Sequence, residues 1–441
     1  MSSTQKEPLL ALNPADYLTL TMDEEIRQEN MPGSLCGYAL ELEKTPDIHA
    51  LNKRILEFGE RFPLAYASLQ QRSKRFFWFE REYKHQLFIQ HHAPSNVNES
   101  AFHHTTITRL LNHKEPRATL APISFHLIQS DHKTTLLLRW MHPFCDAKGT
   151  GLILQYLCTD SAEQRRTFDF PKQASLVNQQ LGKYKWWQKI RFFFNAKRYI
   201  TQLDKLQSII HADTSLTPKA LNFNTYTLTQ AQTQTINKLS RQQVGMTGTS
   251  LYYIGCLMRA LHKMNPEQTG DAYCTPYAFN LRKNKALSPL LGNHVGALFA
   301  QAPKAILHDR DALFQHLKQQ HVQVIREKLD YAFLPVMWAA SWLSLQRHGQ
   351  ELRKSYASGT ERSSFWFSDI GQVDLSTTSL FGSKITQVFH LCQITSPPAL
   401  AFLSCQFNDR LTLSYNFIEP LFTPQWIQQL HEQVLVELLT P

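Results

Sequence analysis

The chain has 441 residues, 43% of them hydrophobic and 19% charged, with a net charge of +10. This composition excludes a disordered chain. No uninterrupted apolar run approaches the roughly 20 residues of a membrane helix, and Met1–Lys6 lacks the basic-then-apolar order of a signal peptide.

The predicted elements follow in chain order. Asn13–Tyr17 leads into a Met- and Glu-rich linker and then the strand-like Cys36–Leu42. Thr45-Pro46-Asp47 opens a helix with a capping side chain, a first-turn proline and an acid at the positive end. Ile48, Leu51, Ile55 and Phe62 form its apolar face, and Pro63 ends it. Arg72–Phe79 reads as a strand. Ile123–Ile128 and Thr134–Met141 read as the arms of a hairpin around the polar turn Gln129–Lys133. Both faces of the second arm are mostly apolar, as in an interior strand. That arm delivers His142, with Asp146 four positions on, and a helix is expected from about Thr150 whose first amides can hold Asp146. Residues 159–180 are polar and begin a link. Beyond it, Leu221–Thr229 reads as a strand, Thr233–Leu239 as a short helix, Thr249–Met264 as a buried helix and Ala272–Arg282 as a strand. Leu313–Leu329 and Leu334–Leu345 read as helices. Lys384–Leu391 and Ala399–Asn416 read as strands, the second broken at Asn408-Asp409, and Thr423-Pro424 caps a last helix. Helices and strands interspersed on both sides of the link predict two α/β domains, residues 1–180 and 221–441, joined by 181–220.

Histidine titrates near neutrality, so His142 at the end of a rigid strand can take a proton from an alcohol or amine and return it. The bland alternative is a turn histidine beside a solvated Asp146. The segment His142-Pro143-Phe144-Cys145-Asp146 resembles the His-x-x-x-Asp core of the chloramphenicol-acetyltransferase-like superfamily. That group includes condensation domains, polyketide-associated acyltransferases and wax ester/diacylglycerol synthases. Met141 stands where the bacterial pattern has a first histidine, and Ala147 where it has glycine. Asn280-Leu281-Arg282, Leu291-Gly292-Asn293-His294-Val295-Gly296 and Ser368-Asp369-Ile370-Gly371-Gln372-Val373-Asp374 resemble further family segments in the same order.

The resemblance implies two domains forming a V around a central tunnel. It implies acyl transfer from an acyl-CoA or a phosphopantetheinyl carrier protein to a hydroxyl or amine, with His142 as general base and no tightly bound cofactor. Asp146 would pair with Arg282 to lock the loop. Residues 368–374 would cross toward the first domain, with Ser368 as an oxyanion donor or turn cap and with Asp369, Gly371 and Asn293 at the tunnel. Asn293 could instead satisfy loop backbone groups beside Gly292 and Gly296. Ala147 raises the prospect of backbone strain and of a catalytically inactive binding or scaffold protein, which is the alternative reading. A lipidic alcohol is the preferred acceptor.

Seven widely spaced cysteines without a Cys-x-x-Cys argue against zinc and disulfides and for core thiols in a reducing, cytoplasmic setting. Cys145 is a rival nucleophile. His91-His92 and His103-His104 read as solvated strand or loop residues, not metal ligands. The positive charge favours an anionic partner, and no nucleic-acid-binding signature accompanies it. Residues 181–200 hold no acid. As a helix they place Trp186, Trp187, Phe193 and Phe194 on a broad face among lysines and arginines. That face either meets an anionic membrane, at its inner surface, or packs across the domain junction.

Overall fold

The computed structural model describes residues 7–73, 75–81, 89–94, 99–169, 181–213, 215–245, 248–282, 290–357, 361–375 and 377–441. Met1–Lys6 and residues 170–180 of the polar link lie outside the described residues.

Asn13 caps the first helix, α1 (Pro14–Gln28). Its side chain accepts the Ala15 and Asp16 amides, and Asp16 returns the bond to the Asn13 amide, which completes a capping box. This segment was expected to be a linker. The prolyl first position and the reciprocal cap make it a helix, and its carboxylates are not all solvent-facing: Asp23 is buried. A small three-stranded sheet packs nearby, with β1 (Leu10–Ala11), β3 (Ser68–Arg72) and β4 (Arg75–Phe79) in the order β1-β4-β3. The expected strand Arg72–Phe79 forms over Arg75–Phe79 as β4, while its first residues belong to the end of β3 and the turn at Ser73, with φ 59.

The first large sheet is built around β7 (Thr134–Met141), whose eight residues are all buried. Its order is β12-β13-β2-β7-β6-β5, with β2 Leu35–Leu42, β5 Ile89–His92, β6 Ile123–Gln129, β12 Ser379–Leu380 and β13 Ser383–Cys392. β5 joins β6 in parallel; the other pairings are antiparallel. Helix α2 (Ile48–Arg61) begins at an Asp47 cap, and α3 (Glu99–Leu111) precedes β6. α3 carries His103, which is buried and hydrogen bonds to Thr135 at 3.0 Å and Ser130 at 3.1 Å. It is thus a satisfied core histidine rather than a solvated one.

β12 and β13 come from the second half of the chain, with Cys392 opposite Cys36 and His390 opposite Tyr38. The second large sheet has the order β10-β9-β11-β14-β15-β8, with β8 Ala220–Thr227, β9 Ala272–Asn280, β10 Val295–Pro303, β11 Trp366–Gln372, β14 Leu400–Phe407 and β15 Arg410–Glu419. β11 lies parallel to both neighbours. β14 and β15 form the expected hairpin, turned by Asn408 and Asp409 at φ 49 and 58. The sheets meet where the Cys405 thiol of β14 donates to the Val388 carbonyl of β13 at 3.3 Å and Phe223 stacks on Phe389. The segment crossing to the first sheet is therefore 379–392, not 368–374, whose β11 residues pair inside the second sheet.

The helices Arg310–Arg326, Leu329–Ala340 and Leu345–Ala357 replace the two expected there. Lys328 adopts a left-handed φ of 53, which separates the first two. The helix Trp186–Leu203 forms as expected, but it buries Phe192, Ala196, Tyr199 and Leu203 and leaves Trp186, Trp187, Phe193 and Phe194 outside. The domain-junction reading of those four aromatics fails for that reason.

Candidate active site

β7 ends at Met141, and the chain turns at once. The His142 amide donates to the Ser34 carbonyl at 2.9 Å, and the Phe144 amide to Met141 at 2.9 Å. Ser34 is itself fixed, because its amide donates to the Asp23 carboxylate at 2.7 Å. Asp23 also accepts from Arg27 at 2.9 Å and from Arg117 at 2.8 Å. The sequence hid this support, since Asp23 reads there as one acid in a polar linker.

Asp146 is the N-cap of α4 (Ala147–Cys158), and its Oδ1 accepts the Gly149 amide at 2.6 Å. The helix starts three residues earlier than expected, which places Ala147 at an ordinary first helical position. Ala147 is not among the positive-φ residues, so the anticipated strain is not there. The neighbouring constraint lies at Gly149 instead. A Cβ there would come within 2.4 Å of the Cys145 sulfur and 2.6 Å of the Gly292 carbonyl oxygen.

The other oxygen of Asp146 reaches the second half of the chain. Oδ2 accepts from Arg282 Nη1 at 2.8 Å and from the His294 amide at 2.6 Å. Arg282 spends its remaining donors on carbonyls, Leu290 at 2.7 Å and Gly292 at 2.6 Å. The Cys145 thiol bonds the same Gly292 carbonyl, and the Trp140 indole donates to the Cys145 carbonyl at 2.7 Å. Asn293 is buried, but its side chain does not serve the glycine loop. It donates to Thr19 Oγ1 on α1 at 3.2 Å, while its carbonyl accepts from Asn13. The strands and loops thus bring His142, Asp146, Arg282 and Asn293 into one cluster.

Electrostatics divide the roles. Burial alone would raise the Asp146 pKa, but the Arg282 guanidinium and the His294 amide outweigh burial and hold the carboxyl below its ordinary value. His142 is shifted down by burial, against the opposing pull of its own carbonyl and of Asp146. Its ring is therefore neutral and able to accept a proton at neutral pH. Nδ1 is buried and has no hydrogen-bond partner among the described residues. Cys145 is fully buried, and burial pushes its thiol up to about 12, which disfavours the nucleophilic thiolate.

Ser368 and Asp369 lie on β11, and neither hydrogen bonds to this cluster among the described residues. Asp369 turns to its own half, accepting from Ser250 at 3.1 Å, Ser404 at 2.9 Å and the Gly371 amide at 3.0 Å. Gly371 has φ 68, a left-handed conformation that favours glycine. Side chains alternate along a strand, so Ser368 points to the opposite face, the one that carries Leu403 and Cys405 toward the first sheet.

No protein-family model matches the chain, and no curated protein matches it. Solved structures do. A trichothecene 15-O-acetyltransferase from Fusarium sporotrichioides superposes with a TM-score of 0.68 at 12% identity, covering 98% of this chain and 95% of that one. The starter condensation domain of a rhizomide synthetase, in complex with C8-CoA and Leu-SNAC, gives 0.67 at 10% identity over 97% and 93%. Polyketide synthase associated protein 5 from Mycobacterium tuberculosis gives 0.64 at 13% identity over 98% and 99%. At such identities the likeness is one of fold. With two six-stranded sheets sharing a crossover and similarity over nearly the whole length, the chain has the two-domain α/β fold of the chloramphenicol-acetyltransferase-like superfamily.

Proposed function

We propose that the protein is an acyltransferase that moves an acyl group from a CoA or carrier-protein thioester to a hydroxyl or amine. The observation that carries this reading is the division of labour between His142 and Asp146. Both oxygens of Asp146 are taken up by Gly149, Arg282 and His294, so the carboxylate holds the loop. His142 is left as a neutral base whose Nδ1 has no hydrogen-bond partner among the described residues. The fold likeness supports the same class, since one similar structure is an acetyltransferase and another is bound to an acyl-CoA.

The acceptor enters a tunnel between the halves 1–180 and 221–441 and gives its proton to His142 Nε2 as its oxygen or nitrogen attacks the thioester carbonyl. A tetrahedral intermediate forms. Its carbon–sulfur bond then breaks, and the imidazolium returns the proton to the departing sulfur. Ser368, on the face turned toward the first sheet, is the proposed donor to the developing oxyanion. Asn293 shapes the tunnel wall, while Asp369 and Gly371 brace β11 from its other face. The preferred acceptor is a lipidic alcohol, and the co-substrate is an acyl-CoA or an acyl carrier protein. All seven thiols are free and six are buried, which supports a reducing, cytoplasmic setting.

The test is a mass-spectrometric screen of acyl-CoAs against alcohols and amines, with His142→Ala as the blank. Product that forms with the parent and not with the variant is the expected result. No product from any pair leaves the inactive binding protein as the better reading.

A further inference from the structure

The helix Trp186–Leu203 has two faces of opposite fate. Phe192, Ala196, Tyr199 and Leu203 recur at steps of four, three and four residues and are all buried. The Tyr199 hydroxyl donates to the Phe299 carbonyl at 2.8 Å, and its ring meets Phe333 on the helix Leu329–Ala340. Gln301 donates to the Leu203 carbonyl at 2.9 Å. The helix is thus anchored by its inner stripe, and the outer aromatics play no part in that anchorage.

Outside, Trp186 is 73% exposed, Trp187 49%, Ile190 48%, Phe193 40% and Phe194 61%. With 3.6 residues per turn these five form one outward arc. Lys189 flanks the arc on one side, Arg191 and Arg198 on the other, and Lys197 lies within it. Between Leu181 and Leu203 there are six lysines and arginines and no acid. The adjoining helix and turn add Trp338 at 47% and Trp342 at 55% exposure. An outward apolar arc of this kind marks an interaction site. One of these cations, Arg198, pairs with Glu327 at 3.1 Å. The pairing of aromatics with cations, and the lack of acids within Leu181–Leu203, matches the headgroup region of an anionic bilayer, where rings sit at the acyl boundary and cations meet phosphates.

We propose that the outer face of the helix Trp186–Leu203 docks the protein on an anionic lipid bilayer. The docking element lies close to the candidate active site. Leu181, just before the helix, packs in one small cluster with Leu334 and Leu281, and Leu281 precedes the Arg282 that holds Asp146. Docking therefore sets the arginine arm of the site near the membrane, where a lipidic alcohol resides. That last step names the source of the acceptor and rests on the acyltransferase reading; the docking itself does not.

The experiment is cosedimentation of the full chain with phosphatidylcholine vesicles, with and without phosphatidylglycerol, across salt concentrations. The parent is expected to bind the anionic vesicles at low salt and the neutral ones weakly. The combined variant Trp186→Ser, Trp187→Ser, Phe193→Ser and Phe194→Ser should lose binding at every salt concentration while melting with the parent, because those side chains point outward. The combined variant Lys185→Gln, Lys189→Gln and Arg191→Gln should lose the salt-sensitive part, roughly fivefold per charge at low salt. His142→Ala should bind as the parent does, so that failure of docking and failure of catalysis read out separately. Absence of parent binding to anionic vesicles at low salt overturns the proposal. So does a parent that instead dimerises through this face in analytical ultracentrifugation, or a serine variant that melts early and still binds.

Discussion

Two buried aspartates show how much a single guanidinium decides. Asp146 caps a helix after a strand and Asp369 lies within one, yet each accepts three hydrogen bonds and burial pushes each toward the neutral acid. The outcomes are opposite. Asp146 faces Arg282 and is held below its ordinary pKa, whereas Asp369 has only hydroxyl and amide donors and is raised above it. The partners also differ in reach. Those of Asp146 include residues 282 and 294 of the other half of the chain, and those of Asp369 all lie between residues 250 and 404. A paired carboxylate therefore fastens the halves at the loop that carries His142, and an unpaired one only ties its sheet to a helix of the same half.

The largest expected effect tests whether the fastened loop is also the chemical one. His142→Ala should lower kcat/KM by roughly a hundredfold to ten-thousandfold, the usual worth of a general base, with an unchanged circular dichroism spectrum. The same assignment fixes the pH profile. Since the histidine is shifted down from 6.5, activity of the parent should stay level through neutrality and fall only below 6.5. An acid limb centred above 6.5, or an active His142→Ala, removes His142 as the base.

Next in size is the pair itself. Asp146→Ala and Arg282→Ala should each cost ~3–5 kcal/mol in denaturant unfolding, because each leaves the other partner buried and uncompensated. The double variant should cost less than the sum. Independent, additive losses would show that the clasp is no more coupled than the Asp369 network.

A third measurement separates the two carboxylates by the sign of their pH dependence. The depressed Asp146 contributes stability that is present above the ordinary value of 3.8 and is lost as pH falls through the folded value. The raised Asp369 behaves in the opposite way: its contribution is present below 3.8 and is lost as pH rises through the folded value. Asp146→Asn should therefore melt lower than the parent at neutral pH, Asp369→Asn should melt higher, and both differences should shrink in acid. Two shifts of the same sign would erase the distinction. The smallest effect belongs to Ala147→Gly. It introduces the glycine of the resembled pattern, yet it should destabilise by roughly 0.5–1 kcal/mol or less and leave the rate unchanged, since Ala147 begins a helix without strain.

Much of the His142 loop was legible because its signals are local. An apolar strand, a turn and a capping carboxylate lie within fifteen residues, and each rests on backbone geometry that neighbours in sequence dictate. The α1 cap was equally local, with Asn13, Pro14 and Asp16 in place, but the acids that follow read as a solvated linker. Only the folded chain shows that Asp23 is consumed by Ser34, Arg27 and Arg117. The same limit applied at 368–374, where a motif was visible and its direction of crossing was not.

By itself, the sequence determined the interior character of β7, the cap at Asp146, the hairpin turn at Asn408-Asp409 and the acid-free aromatic helix, all set by periodicity and local hydrogen bonding. Tertiary structure alone decided that β13 pairs with β2, that Arg282 shares its donors between Asp146 and the carbonyls of Leu290 and Gly292, and that the helix Trp186–Leu203 turns Phe192 inward and Phe193 outward. The physical reason is the same in each case. Two apolar faces, or several unpaired acceptors, are nearly equivalent within a segment, and only the surfaces brought up from distant parts of the chain choose among them.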